Sequence, residues 1–118
     1  MCSVTVQLPW PPTANHYWKR NGNIYFISKA GLYYRLTTSS TCFNFKGLFT
    51  SKQRLKVVVE AFPPDRRRRD LDNLCKCLLD SLQKAGVYAD DSQIDYLLVV
   101  RRPELLNKVS VTIEEIAR

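Results

Sequence analysis

The sequence has no apolar run long enough to cross a membrane, which excludes an integral membrane protein built on helices. Met1 to Pro9 offers no basic leader followed by a sustained apolar region, so it reads as no signal peptide and a cytoplasmic protein is expected. Cys2, Cys42, Cys75 and Cys77 show none of the paired spacing of a zinc site. Cys75 and Cys77 diverge on a helix, and reduced thiols are the expectation. The single histidine, His16, reads as a structural or surface residue rather than a ligand. Repeats, low-complexity tracts and interdomain linkers are absent, which leaves one domain over residues 1–118 with little room for a separate cofactor domain. Acidic residues are also in deficit. Against 18 Lys and Arg stand 11 Asp and Glu, a net charge of +7, and the clustering of that charge points to nucleic acid as partner.

Val4, Val6 and Leu8 alternate with polar residues as a half-buried strand does, and Pro9, Pro11 and Pro12 stop it. Aromatic and basic residues then interleave from Thr13 to Arg20. Lys19 and Arg20 could meet DNA there, while Tyr17 and Trp18 could equally pack into the core. After the Asn21-Gly22-Asn23 turn, Ile24–Ile27 predicts a short strand. Ser28 is placed to cap a helix with Leu32, Tyr33 and Leu36 on one face, its far end unassigned because Thr37–Thr41 has poor helix propensity. Leu55–Phe62 predicts a central strand ended by Pro63-Pro64. Leu71, Leu74, Leu78 and Leu82 recur at helical spacing up to Gly86. The apolar run Tyr96–Val100 predicts a strand buried on both faces, and Val109, Val111 and Ile113 a half-buried strand close enough to pair with it as a hairpin. The resulting expectation is an α+β domain with about five strands in a mixed sheet against two main helices.

The chemistry concentrates between Asp65 and Lys76. Arg66, Arg67, Arg68 and Arg69 present planar forks that suit phosphate oxygens, and Asp70 and Asp72 beside them suit a hard divalent cation. A solvated loop of balanced charge is the plain alternative. Asp70 or Asp72 could cap the following helix, but capping explains only one of them. Asp90 and Asp91 stand at the far end of the same helix-to-strand unit. Convergence of Asp70, Asp72 and Asp91 on one or two Mg²⁺ ions, with Asp90 as a further ligand, would activate a water against a phosphodiester. Lys76, one turn after Asp72, could then offset transition-state charge; by spacing alone it could equally form a helix-surface ion pair with Asp72 or Asp80 worth about 0.5 kcal/mol.

Pro63-Pro64-Asp65-Arg66-Arg67-Arg68-Arg69-Asp70-Leu71-Asp72-Asn73-Leu74, followed by Lys76, Asp80-Ser81-Leu82, Lys84-Ala85-Gly86 and Asp90-Asp91, closely resembles the RusA family of Holliday-junction resolvases. The opening Leu8-Pro9-Trp10-Pro11-Pro12 with Asn15 and Tyr17 is similar to that family's beginning, with Thr13 where a serine is common. The resemblance implies a homodimeric, Mg²⁺-dependent endodeoxyribonuclease of bacteria or phage, with Mn²⁺ as an alternative ion, that resolves four-way DNA junctions by paired nicks in recombination and repair. It implies Asp70, Asp72 and Asp91 as metal ligands, Asp90 as a further one, Lys76 as the essential basic residue, Arg69 and its neighbours along the DNA path, and Asn73, Asp80 and Asn15 in support. Two identical sites related by a dyad suit the two-fold symmetry of the junction. A silent DNA-binding protein, or a metal-dependent nuclease on flaps or single strands, stands beside this reading.

Overall fold

A computed structural model of the chain describes residues 2–117. The predicted alternation becomes β1 (Ser3–Pro9), whose Val4, Val6 and Leu8 are buried while its intervening residues face outward. The last strand, β6 (Lys108–Glu115), repeats that pattern and pairs antiparallel with β1 and with β4 (Leu55–Phe62). A fourth strand, β5 (Ile94–Arg101), joins β4 in parallel, so the sheet runs β1-β6-β4-β5. Its inner rows from β1, β4 and β6 meet Leu74, Leu78 and Leu82 of α3 (Asp72–Lys84) and Tyr34 of α2 (Lys29–Thr41) in one core. Each fully buried leucine there stabilises the fold by about 2 kcal/mol. The outer row is polar. Thr5 bonds Thr112, Gln7 bonds Ser110, and Glu60 pairs with Arg102 at 2.8 Å.

A four-residue turn of helix, α1 (Ala14–Tyr17), leads into a separate two-stranded ribbon of β2 (Trp18–Asn21) and β3 (Ile24–Ile27). The segment Ile24–Ile27 is therefore a strand, but not one of the main sheet. The domain is α+β, as expected, with four strands in the sheet and the ribbon apart. No helix among the described residues is long and apolar enough to cross a membrane.

Several expectations are corrected. Strand β5 is an edge strand with Tyr96, Leu97 and Leu98 more than 40% exposed, because a parallel partner on one side leaves its other side open. It forms no hairpin with β6, since β4 lies between them and α3 supplies the crossover that parallel pairing requires. Helix α2 starts at the Ser28 cap, whose hydroxyl accepts from Gly31 N–H at 2.9 Å. It buries Gly31, Tyr34 and Thr38 and leaves Leu32, Tyr33 and Leu36 outside. It also continues through Thr41 despite poor propensity, with Thr38 bonded back to the Tyr34 carbonyl at 2.8 Å and Cys42 N–H closing the end. The unassigned stretch beyond holds a short 3₁₀ turn at Phe43–Phe45. It is then tied down by Gly47 N–H to Gly86 O at 2.7 Å and by buried Phe49.

Pairing direction sets where the loops meet. Strands β1, β4 and β5 all run the same way, so Trp10 to Pro12, residues 63–71 and Arg101 to Pro103 gather at one rim of the sheet. In sheets with parallel strands this carboxyl-end rim is the usual place for a ligand.

Candidate active site

Helix α3 starts at Asp72 on that rim, with Leu71 as its helical N-cap residue and no side chain capping it. The capping role considered for Asp70 or Asp72 is thus not taken by either carboxylate. The first turn is instead closed by Asn73 N–H to Asp70 O at 3.3 Å and Leu74 N–H to Leu71 O at 3.4 Å. Both carboxylates are exposed, and among the described residues neither accepts a hydrogen bond nor joins an ion pair. Two unpartnered carboxylates two residues apart repel each other, and the positive end of the helix dipole relieves only part of that cost. Beside them, Trp10, Pro11, Thr13, Arg68, Arg69, Asp70, Asn73 and Leu74 line a cleft of about 340 Å³.

The arginine run divides by role. Arg69 is turned inward: its Nη1 meets Asp65 Oδ1 at 2.6 Å and its guanidinium lies 5.9 Å from the Trp10 ring. The Arg69 hydrogen bond, helped by Arg67 N–H, holds the Asp65 carboxyl down at about 2. Arg66, Arg67 and Arg68 remain exposed. Arg101 and Arg102, which the sequence analysis did not assign to DNA, join this wall because β5 ends beside β4. The Arg101 guanidinium donates to Arg69 O. Their signal was the dipeptide itself, legible only once β4 and β5 are known to be parallel.

Along α3, Asp72, Lys76 and Asp80 share one row, yet their surroundings differ. Asp80 accepts from the Tyr17 hydroxyl and from Arg35 Nη2 at 2.9 Å, while Arg35 Nε donates to the Tyr17 oxygen at 2.7 Å. Burial, and then the Asp80 hydrogen bond, push the Tyr17 hydroxyl up to about 12. Of the two uses considered for Tyr17, packing in the core is the one adopted, and Asp80 ties α1 and α2 to α3. Arg35 completes this network and was not singled out in the sequence. Lys76 pairs with neither Asp72 nor Asp80 among the described residues. It opens onto a second cleft with Asn15, Trp18, Lys19, Arg20 and Tyr25.

Asp90 and Asp91 stand elsewhere. Asp90 caps a 3₁₀ turn at Asp91–Gln93 by accepting from Ser92 N–H at 2.9 Å, a bond that lowers its pKa. Asp91 N–H donates to Gln83 Oε1 at 2.9 Å, which ties it to the last turns of α3. The 13 residues of that helix put about 18 Å between its two ends. One chain therefore does not bring Asp91 to Asp70 and Asp72, and no group of three metal-ligating side chains occurs among the described residues. Buried Gln93, unmarked in the sequence, organises the Asp90 end: it accepts from Ala89 and Asp90 N–H and donates to Thr50 O and Gln53 O.

The family model described as Endodeoxyribonuclease RusA matches residues 9–114. The crossover junction endodeoxyribonuclease RusA of Enterobacteria phage HK97 is 47% identical over 94 residues, covering 80% of this chain and 78% of that protein. The protein of the same name from Shigella sonnei is 39% identical over 103 residues, covering 87% and 86%. That of Enterobacteria phage 82 is 39% identical over 106 residues, with the same coverage. With matching length, the strand-to-helix acidic motif at a basic rim and these identities, the chain belongs to the RusA family.

Proposed function

We propose that the chain is a structure-selective DNA endonuclease that cuts four-way junctions, with Mg²⁺ or Mn²⁺ held by Asp70 and Asp72. The observation that carries this is a pair of carboxylates with no protein partner among the described residues, set at a helix N-terminus beside an arginine wall. Their donor chemistry fits a hard oxygen-seeking cation, and the names of the relatives supply the crossover junction as substrate. When bound, such an ion polarises the phosphodiester and lowers the pKa of a coordinated water. The chain's own residues do the rest. Arg66, Arg67, Arg68 and Arg101 hold backbone phosphates, Arg69 fixes the loop that presents them, and Lys76 offsets charge developing on the scissile phosphate.

Homodimerisation belongs to this reading for a geometric reason. The carboxylates at the two ends of α3 cannot serve one ion within a chain, whereas a second copy could bring its Asp90 and Asp91 to the first copy's Asp70 and Asp72. The open apolar edge of β5 is suited to that. Antiparallel self-pairing of two β5 strands sets the Asp91 end of one beside the Arg101 end of the other.

The test is a labelled four-way junction incubated with purified protein, with and without Mg²⁺. Paired symmetric cuts are expected, and Asp72→Asn should bind the junction without cutting it; cutting at the normal rate would remove Asp72 from the chemistry. Cuts on flaps but none on junctions would change the substrate. Mixing Asp72→Asn with Asp91→Asn tests the shared site. Two inactive proteins should recover single-strand nicking, because half of each mixed dimer pairs an intact Asp72 with an intact Asp91. No recovery, with mixed dimers demonstrated, would place Asp91 outside the partner's site.

A further inference from the structure

The cleft onto which Lys76 opens measures about 540 Å³, within the range of pockets that hold small ligands. Its lining combines three cationic residues, Lys19, Arg20 and Lys76, with two aromatic rings, Trp18 and Tyr25, and the Asn15 amide; among the described residues no carboxylate contributes. The β2–β3 ribbon supplies most of this wall, because cross-strand pairing of Arg20 with Tyr25 and of Trp18 with Ile27 sets the side chains of Trp18, Arg20 and Tyr25 on one side, while Lys19, which alternates to the other, borders the cleft. The root of the ribbon is anchored. Trp18 meets the buried Tyr17 ring edge-on at 5.1 Å, and Ser28 N–H donates to Tyr17 O at 2.9 Å. The outer part is open: Tyr25 is 65% exposed, with the Arg20 guanidinium 5.6 Å from its ring centre. Ile24, Tyr25 and Phe26 add nothing to the core, so folding does not account for an apolar and aromatic ribbon tip in water.

We infer that this cleft takes one unstacked nucleotide of a branched DNA, its base against Tyr25 and Trp18 and its phosphate toward Arg20 and Lys76. The assignment rests on the nuclease reading for its substrate class. Aromatic rings stack on any base, while cations without a competing carboxylate attract the phosphate. Bases inside continuous duplex are already stacked and cannot enter without an unstacking cost, whereas a branch point offers unpaired or easily opened ones. The cleft thus favours branched over continuous DNA. Lys76 belongs to the cleft and lies one turn from Asp72, which places the held nucleotide next to the candidate cutting position.

Binding of wild type, Tyr25→Ala and Tyr25→Phe to a four-way junction and to a duplex of equal length, measured by fluorescence anisotropy in EDTA, tests this. The junction-over-duplex preference should fall roughly 5- to 100-fold in Tyr25→Ala and be kept in Tyr25→Phe. Thermal melting checks the fold, and Tyr25→Leu replaces Tyr25→Ala if the smaller residue unsettles the ribbon. An unchanged preference in the variants without a ring, or an equal loss in Tyr25→Phe, overturns the cleft. Cleavage by wild type in Mg²⁺ is scored on the same junction. Cuts with an unchanged preference overturn the cleft alone; a lost preference without cuts supports the cleft and overturns the nuclease reading.

Discussion

Asp72 and Asp80 sit two turns apart on the same side of one helix, and their neighbours decide what each can do. Asp80 is held by the Tyr17 hydroxyl and Arg35, whereas Asp72, exposed at the helix end, has no hydrogen-bond or ion-pair partner among the described residues. The first is structural and the second is available. Tyr17 carries a consequence for pH. Its hydroxyl is raised to about 12 from an ordinary value near 10, chiefly by burial. The unfolded chain therefore releases this proton first, so the contribution to stability is complete below pH 10 and is lost as pH rises toward 12. Tyr34 and Tyr88, raised by burial, act in the same direction. Urea unfolding at pH 9 to 11 should show stability falling steeply in wild type and less steeply in Tyr17→Phe. At neutral pH that variant should be about 1–2 kcal/mol less stable, because Asp80 and Arg35 each forfeit a hydrogen-bond partner.

Helix α2 shows that the more apolar stripe need not be the buried one. Its start was legible at Ser28, and Leu32, Tyr33 and Leu36 do share one face, but that face is exposed and the structure buries the neighbouring stripe. The reason is close approach. A Cβ on Gly31 would stand 2.7 Å from the Tyr17 carbonyl oxygen and 2.9 Å from Ile27 Cγ1, so only glycine lets α2 lie against the α1–β3 joint. Gly31→Ala should therefore lower stability by about 1–3 kcal/mol, read as a drop in melting temperature, even though alanine is the better helix former. Strand β5 is the parallel case: a continuous apolar run fits a buried strand and an open edge equally well. The run alone does not say which neighbours exist.

The whole molecule carries a net charge of +7, and six of its 18 cations, Arg66 to Arg69, Arg101 and Arg102, gather at the rim where three strands end. Binding to DNA should fall steeply with salt through counterion release. Neutralising Arg66, Arg67 and Arg68 to Gln should reduce the slope of log affinity against log salt by about one unit for each phosphate no longer held, across unrelated sequences. An unchanged slope would return the loop to the solvated, charge-balanced alternative. Arg69→Gln should differ, because this arginine holds Asp65 and packs on Trp10; its removal should disturb the loop and the candidate site beside it together.

Local chemistry was enough for much of this protein. Strand alternation identified β1, β4 and β6, leucine spacing and Gly86 identified α3, and the arginine and aspartate motif pointed to its family before any fold was known. These are properties of neighbouring residues, and neighbours are what a sequence specifies. Tertiary structure alone decided which way α2 faces, that β4 separates β5 from β6, that Arg101 joins the arginine wall, and that Asp80 belongs to a half-buried network. It also decided the distance that matters most. The aspartates at residues 70 and 72 and those at 90 and 91 read as one constellation along the chain, and a 13-residue helix holds them apart in space. Its extent was legible from Leu71 to Gly86; that the following turn stays at its far end, tied to Gln83, was not.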